Sequence, residues 1–154
     1  MRTLRPDVPF LYDDTARFHL GGHHVLAEGH DLLIVASGYM VHEARKTLPT
    51  LRQQGIAASL VDLYSLPFDD DAIATLVQDH QGRVLTLEDN YGGGFGSAVA
   101  DALSAHANTV TLHQMYVRQI PKSGRTPDDV LRYLGLSTDD IVKAAAELLA
   151  TAAR

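Results

Sequence analysis

The residues best suited to chemistry in this chain lie between positions 88 and 97. Glu88 and Asp89 close an apolar run, and Gly92, Gly93, Gly94, Phe95, Gly96 and Ser97 follow after Asn90 and Tyr91. A glycine-rich turn between a strand and a helix can aim backbone N–H groups at a phosphate. The spacing departs from the dinucleotide fingerprint, because the position that should hold the last glycine is Ser97 or Val99. The strand after it, Thr109 to Gln114, ends without an acidic residue to hold a ribose. No Lys-Ser/Thr pair follows the glycines, which excludes a P-loop. Close backbone packing or a subunit contact therefore accounts for the glycines better than phosphate binding does. Glu88 at a strand's carboxyl end is placed to act as a general acid or base. It is equally placed to accept hydrogen bonds from the turn, and the lack of a locatable second acid or base favours that role. Glu88, Asp89, Gly93, Gly94, Phe95, Gly96 and Ser97 are the candidate site, as an interface turn or an anion contact.

The eight histidines, at 19, 23, 24, 30, 42, 80, 106 and 113, form neither an HExxH pair nor an H-x-H run beside a carboxylate. Scattered structural histidines are expected rather than a metal site. Neither Ser37 nor Ser97 lies in G-x-S-x-G, so no nucleophile elbow is present. Lys122-Ser123-Gly124-Arg125 is a compact basic turn that reads as a solvated loop.

Positioning these residues requires alternating strands and helices. Asp31 to Gly38 contains four consecutive large aliphatics, the pattern of a strand buried on both faces. Met40 to Gln54 has helical spacing and stops at Gly55, with Pro49 predicting a kink or a shift in its last turns. A second strand at 57–63 precedes a helix begun by Asp69-Asp70-Asp71. The third strand is 83–88, the helix after the glycines runs from about Ser97 to Ala107, and the fourth strand is 109–114. Helices over 127–134 and 137–152 close the chain, the latter begun by Ser137. Phe18 to Leu26 reads as a hairpin-like segment around Gly21-Gly22. Residues 1–15, with Pro6 and Pro9, read as an extended arm or interdomain linker before a domain spanning 16–154. The alternation implies an α/β fold with a mainly parallel sheet covered by helices on both faces.

The chain has 154 residues, enough for one domain with a true core. Its net charge of −6 argues against a nucleic-acid or anionic-membrane binder. It contains no cysteine, which excludes disulfides, thiolate metal sites and cysteine nucleophiles. No apolar run is long enough for a membrane span, and the first residues lack a secretory signal, so a cytoplasmic location is expected.

Taken in order, several segments resemble one family. His19-Leu20-Gly21 and Glu28 to Val41 look like the start of the carboxyl-terminal domain of transketolase-like thiamine diphosphate enzymes. Leu51 to Gly55, Val61-Asp62-Leu63 and Pro67-Phe68-Asp69 are similar to its second strand and following turn. Leu85 to Asn90, followed by Gly93 to Val99, resembles its most recognisable stretch. Ser123-Gly124, Leu131, Gly135-Leu136-Ser137 and Asp140-Ile141-Val142 resemble the tail of transketolases, especially those encoded as two chains. The 2-oxo-acid dehydrogenase β subunits and deoxyxylulose-phosphate synthases share the earlier segments but usually end differently.

The resemblance implies a three-layer α/β/α domain around a mixed, mostly parallel sheet, with residues 18–26 as the antiparallel edge. It implies that thiamine diphosphate and Mg²⁺ belong to the holoenzyme and that this chain binds no cofactor itself. Neither the GDG-plus-Asn motif nor an activating-glutamate region is present, and no catalytic residue of the family maps onto this chain. The implied partners are pyrophosphate- and pyrimidine-binding domains or subunits of the same enzyme, in a homodimeric holoenzyme, with no nucleic acid and no membrane. The expected activity is transfer of two-carbon ketol units between sugar phosphates, with this domain non-catalytic and inactive alone, supporting dimerisation and domain packing. Met1 to Asp14 is then the interdomain connection. The rival reading is a stand-alone nucleotide- or phosphate-binding regulator acting through the glycine turn.

Overall fold

A computed structural model describes residues 8–106 and 109–152. Five strands form one sheet: β1 (His24–Ala27), β2 (Leu32–Ala36), β3 (Ala58–Asp62), β4 (Arg83–Tyr91) and β5 (Thr111–Val117). Five helices complete the fold: α1 (Tyr39–Gln53), α2 (Asp70–Asp79), α3 (Phe95–His106), α4 (Pro127–Leu134) and α5 (Thr138–Ala152). The sheet order is β1-β3-β2-β4-β5. β2, β3, β4 and β5 are parallel, and β1 lies antiparallel against β3 with an irregularity between Val25 and Ala27. The mixed, mostly parallel α/β architecture is the one the sequence implies.

Every residue of Leu32–Ala36 is buried, because this central strand has helices on both faces. On one face Leu32, Ile34 and Leu85 pack with Met40, Leu51, Ile141 and Leu148 from α1 and α5. On the other, Leu33, Val35 and Val84 pack with Ile73, Val77, Val99 and Leu103 from α2 and α3. Burying side chains of this size stabilises the fold by roughly 1.5–3 kcal/mol each.

Local signals explain most boundaries. Asp69 caps α2 by accepting from the Ala72 N–H at 3.0 Å. Thr126 and Asp129 form a reciprocal capping box on α4. Ser137 and Asp140 bond in the same pattern at the start of α5. α1 ends where Gly55 takes φ of 79°, with Ile56 N–H reaching the Leu51 carbonyl at 2.9 Å. Pro49 leaves α1 continuous to Gln53, at the loss of one ladder donor.

Four expectations are revised. The segment 18–26 is not a hairpin: β1 begins at His24 and pairs with β3, while Gly21 bridges to Phe68. β4 extends to Tyr91 rather than ending at Glu88, through an irregularity beyond Leu87 that keeps it alongside β5. The ladder accordingly carries β5 to Val117 instead of Gln114. α3 starts at Phe95, two positions before Ser97, for a reason found in the side chain of Glu88; its expected end, Ala107, lies outside the described residues.

Candidate functional site

The carboxylate of Glu88 is buried at the end of the regular part of β4. Its Oε2 accepts the Phe95 N–H at 3.1 Å and its Oε1 accepts the Gly96 N–H at 2.9 Å. A helix begins with N–H groups that have no partner within the helix. Glu88 supplies that partner from seven residues upstream and places negative charge at the positive end of α3. This arrangement decides the geometry of the glycine turn. A Cβ on Gly94 would lie 2.7 Å from Glu88 Oε2, and one on Gly96 would lie 2.8 Å from Thr86 Oγ1. The backbone must approach its own strand this closely, which only glycine allows.

The structure brings all seven candidate residues to the carboxyl end of β4. Phe95 and Gly96 are buried, while Asp89, Gly94 and Ser97 are half-buried and Gly93 is exposed. Ser97 Oγ accepts the Gly93 N–H at 3.1 Å and closes the turn. Solvent reaches the turn mainly at Tyr91, Gly92 and Gly93. The diphosphate of a thiamine cofactor would need those α3 amides together with a carboxylate-held Mg²⁺. The amides of Phe95 and Gly96 are already bonded to Glu88, and no group of three or more metal-ligating side chains occurs among the described residues. The turn does not fit the cofactor.

The histidines separate into structural roles. His80 is buried, with Nδ1 2.6 Å from the Leu76 carbonyl and Nε2 2.7 Å from Ser59 Oγ. A carbonyl facing Nδ1 calls for a proton there, and the Ser59 hydroxyl donates to the Gly29 carbonyl at 3.1 Å. Ser59 Oγ in turn accepts the Gly29 N–H at 2.9 Å, so this pair fastens a loop and faces no open cleft. His106 bonds the Ala102 carbonyl and reaches Asp71 at 3.0 Å. These contacts, the carbonyl first, raise its pKa above the usual imidazole value. Burial lowers the pKa of His23 and of His42. In the basic turn, Lys122 lies over the Tyr133 ring at 5.1 Å, and the rest of the segment is exposed.

Sequence reasoning missed a fastening at the other end of the sheet. Tyr12 donates to the buried Asp62 at 2.6 Å, and its ring packs edge-on against Phe18 and His24. Burial raises the Asp62 carboxyl above the usual carboxylate range, and burial together with Asp62 pushes the Tyr12 phenol far up. Tyr12 and Asp62 are separated by 50 positions, so no local spacing connects them. Leu11 also packs against the core.

The family model described as transketolase, C-terminal domain, matches residues 21–141. The chain belongs to the transketolase C-terminal domain family. Transketolase-like protein 1 of Bos taurus is 32% identical over 153 residues, covering 97% of this chain and 25% of that protein. Transketolase of Mus musculus is 31% identical over 153 residues, covering 97% of this chain and 24% of that protein. A solved structure, described as a split gene transketolase, inactive β4 tetramer, superimposes with a TM-score of 0.85. It is 34% identical, and the match covers 93% of this chain and 47% of that one. This transketolase C-terminal domain therefore spans about a quarter of the length of the curated relatives it matches.

Proposed function

We propose that this chain serves as the third, non-catalytic domain of a transketolase-like enzyme. The enzyme would transfer two-carbon ketol units between sugar phosphates, with thiamine diphosphate supplying the electron sink for the carbanion when bound elsewhere in the assembly. Glu88 carries this reading: the carboxylate at the most recognisable motif holds the chain's own helix rather than a cofactor. The similar split-gene protein, which is about twice this chain's length, is described as inactive in its β4 form. An isolated C-terminal domain fits the same pattern. Its contribution is to pack beside the pyrimidine-binding domain and support the holoenzyme dimer in the cytoplasm, with the segment Asp89 to Phe95 at the contact and residues 1–15 as the connection.

Calorimetric titration of this chain with thiamine diphosphate and Mg²⁺ is expected to give no binding heat and no ketol transfer. Adding the chains that carry the pyrophosphate- and pyrimidine-binding domains is expected to restore transfer, and only when this chain is present. Tight binding of the cofactor by this chain alone would overturn the reading.

A further inference from the structure

Residues 8–11 lie against the first turns of α1 and bound with them a cleft of about 380 Å³. That volume is in the range of small-molecule sites. Val8, Pro9 and Leu11 make one wall, and Leu11 is also packed on the core. The other wall is the face of α1 on which Tyr39, His42, Glu43 and Lys46 recur at three- and four-residue spacing. His42 is 8% exposed, yet its ring makes no hydrogen bond among the described residues. A polar side chain buried to this degree is nearly always hydrogen-bonded, and the cleft is the side from which a partner can reach this one. Burial holds the ring below the usual imidazole pKa, so it presents one N–H donor and one bare nitrogen. Three positions further along the helix, Arg45 is exposed and has neither a hydrogen bond nor an ion pair among the described residues. Lys46 is not free in the same way. Its ammonium lies 2.7 Å from the buried Glu43 carboxylate, and the two charges cancel. One cation is left over.

We infer that this cleft binds a small organic monocarboxylate with an apolar body, its carboxylate on Arg45 and His42 and its body against Val8, Pro9 and Leu11. Charge sets the head group. A guanidinium presents a planar fork that matches a carboxylate, and one uncompensated cation matches one negative charge. His42, a neighbour of Arg45 on the helix surface, adds an N–H donor to the same head group. A phosphate ester would instead bring nearly a second negative charge up to Glu43. The opposite wall sets the body. The side chains of Val8, Pro9 and Leu11 offer no donor or acceptor, so a sugar lying there would lose hydrogen bonds that its hydroxyls make in water. The Tyr39 ring, 6.3 Å from the His42 ring, adds a face for an aromatic body. The ligand is therefore of a different chemical class from the sugar phosphates of the proposed activity. The site shares no residue with the Asp89–Phe95 contact, and it stands whether or not the transketolase reading does. Because its walls come from residues 8–11 and from α1, a bound molecule ties the start of the described chain to a core helix.

Phenylacetate is a suitable probe, read by two-dimensional amide NMR of the whole chain. Saturable shifts are expected at Val8, at Leu11 and along Tyr39 to Lys46, with a dissociation constant of about 1 mM for so small a ligand. Acetate, which lacks the body, and phenylacetamide, which lacks the charge, are each expected to bind about tenfold more weakly or worse. Arg45→Gln is expected to weaken phenylacetate about tenfold, through loss of the charge-assisted pair. Arg45 is exposed, so the substitution leaves the core unaltered, and circular dichroism checks that the variant is folded. The acetate and phenylacetamide titrations use the parent chain and decide the matter whatever the stability of the variant. The inference is overturned if phenylacetate gives no saturable shift up to about 20 mM, or if the shifts fall elsewhere in the chain. It is equally overturned if acetate or phenylacetamide binds the parent as tightly as phenylacetate, or if folded Arg45→Gln keeps the parent's affinity.

Discussion

Glu88 shows how a residue that looks catalytic can be committed to structure. Its two oxygens are each bonded to a backbone N–H of α3, so the carboxylate that caps the helix also fills the place where a phosphate would go. Glu88→Ala is expected to cost about 2–3 kcal/mol, since it strands two buried donors and removes the helix-end charge. Glu88→Gln keeps one acceptor but turns an NH₂ towards the second amide, and should fall between the two. Urea unfolding of the three proteins checks the order. Should Glu88→Ala prove as stable as the parent, the carboxylate would be freed for another role. Thr86 Oγ1 lies in the same place, buried and without a partner among the described residues, beside the Gly96 backbone and the Gln114 amide.

At the scale of elements, legibility followed distance along the chain. β2 was readable because its apolar run is continuous, and α4 because its capping box and Gly135 lie within the element or beside it. The start of α3 was not, because its cap comes from β4 rather than from a Ser, Thr, Asp or Asn next to it. The acceptor role of Glu88 was legible, since the amides it bonds lie only seven and eight positions further along the chain. The Ser59–His80 and Tyr12–Asp62 bonds were not, since separations of 21 and 50 positions leave no periodic trace. The helices on the α2–α3 face meet through His106 and Asp71. The folded-state pKa of His106 is raised, so its charged contacts stabilise fully below the unfolded imidazole pKa and are lost as pH rises through the folded value. His106→Gln is therefore expected to destabilise more at pH near 5.5 than at pH near 8.5. Thermal unfolding of both proteins across that range tests it; equal losses at both ends would remove the charge from the explanation.

At the scale of the whole molecule, the proposed partners are testable through stability. Among the described residues no helix is long and apolar enough to cross a membrane. Exposed apolar residues include Leu20 and Leu66, 97% and 58% exposed, close in the chain to the two residues of the Gly21–Phe68 bridge. A partner that binds only the folded chain stabilises it by mass action, by about 2.7 kcal/mol at one hundred times its dissociation constant. The unfolding temperature is thus expected to rise on adding the chain that carries the pyrimidine-binding domain and to stay put with thiamine diphosphate and Mg²⁺ alone. Differential scanning fluorimetry reads both, and a rise with cofactor alone would contradict the assignment.

The bond between Tyr12 and Asp62 has a mechanical consequence. Polypeptide arriving through residues 8–11 is moored at the β1 end of the sheet, so a pull from that direction loads the packing of Leu11, one phenol–carboxylate bond and a few edge-on ring contacts before it reaches β2. The opposite margin, where β5 ends the sheet, carries none of that strain. Tethering something ahead of residue 8 therefore leaves the β5 margin outside the path of the load.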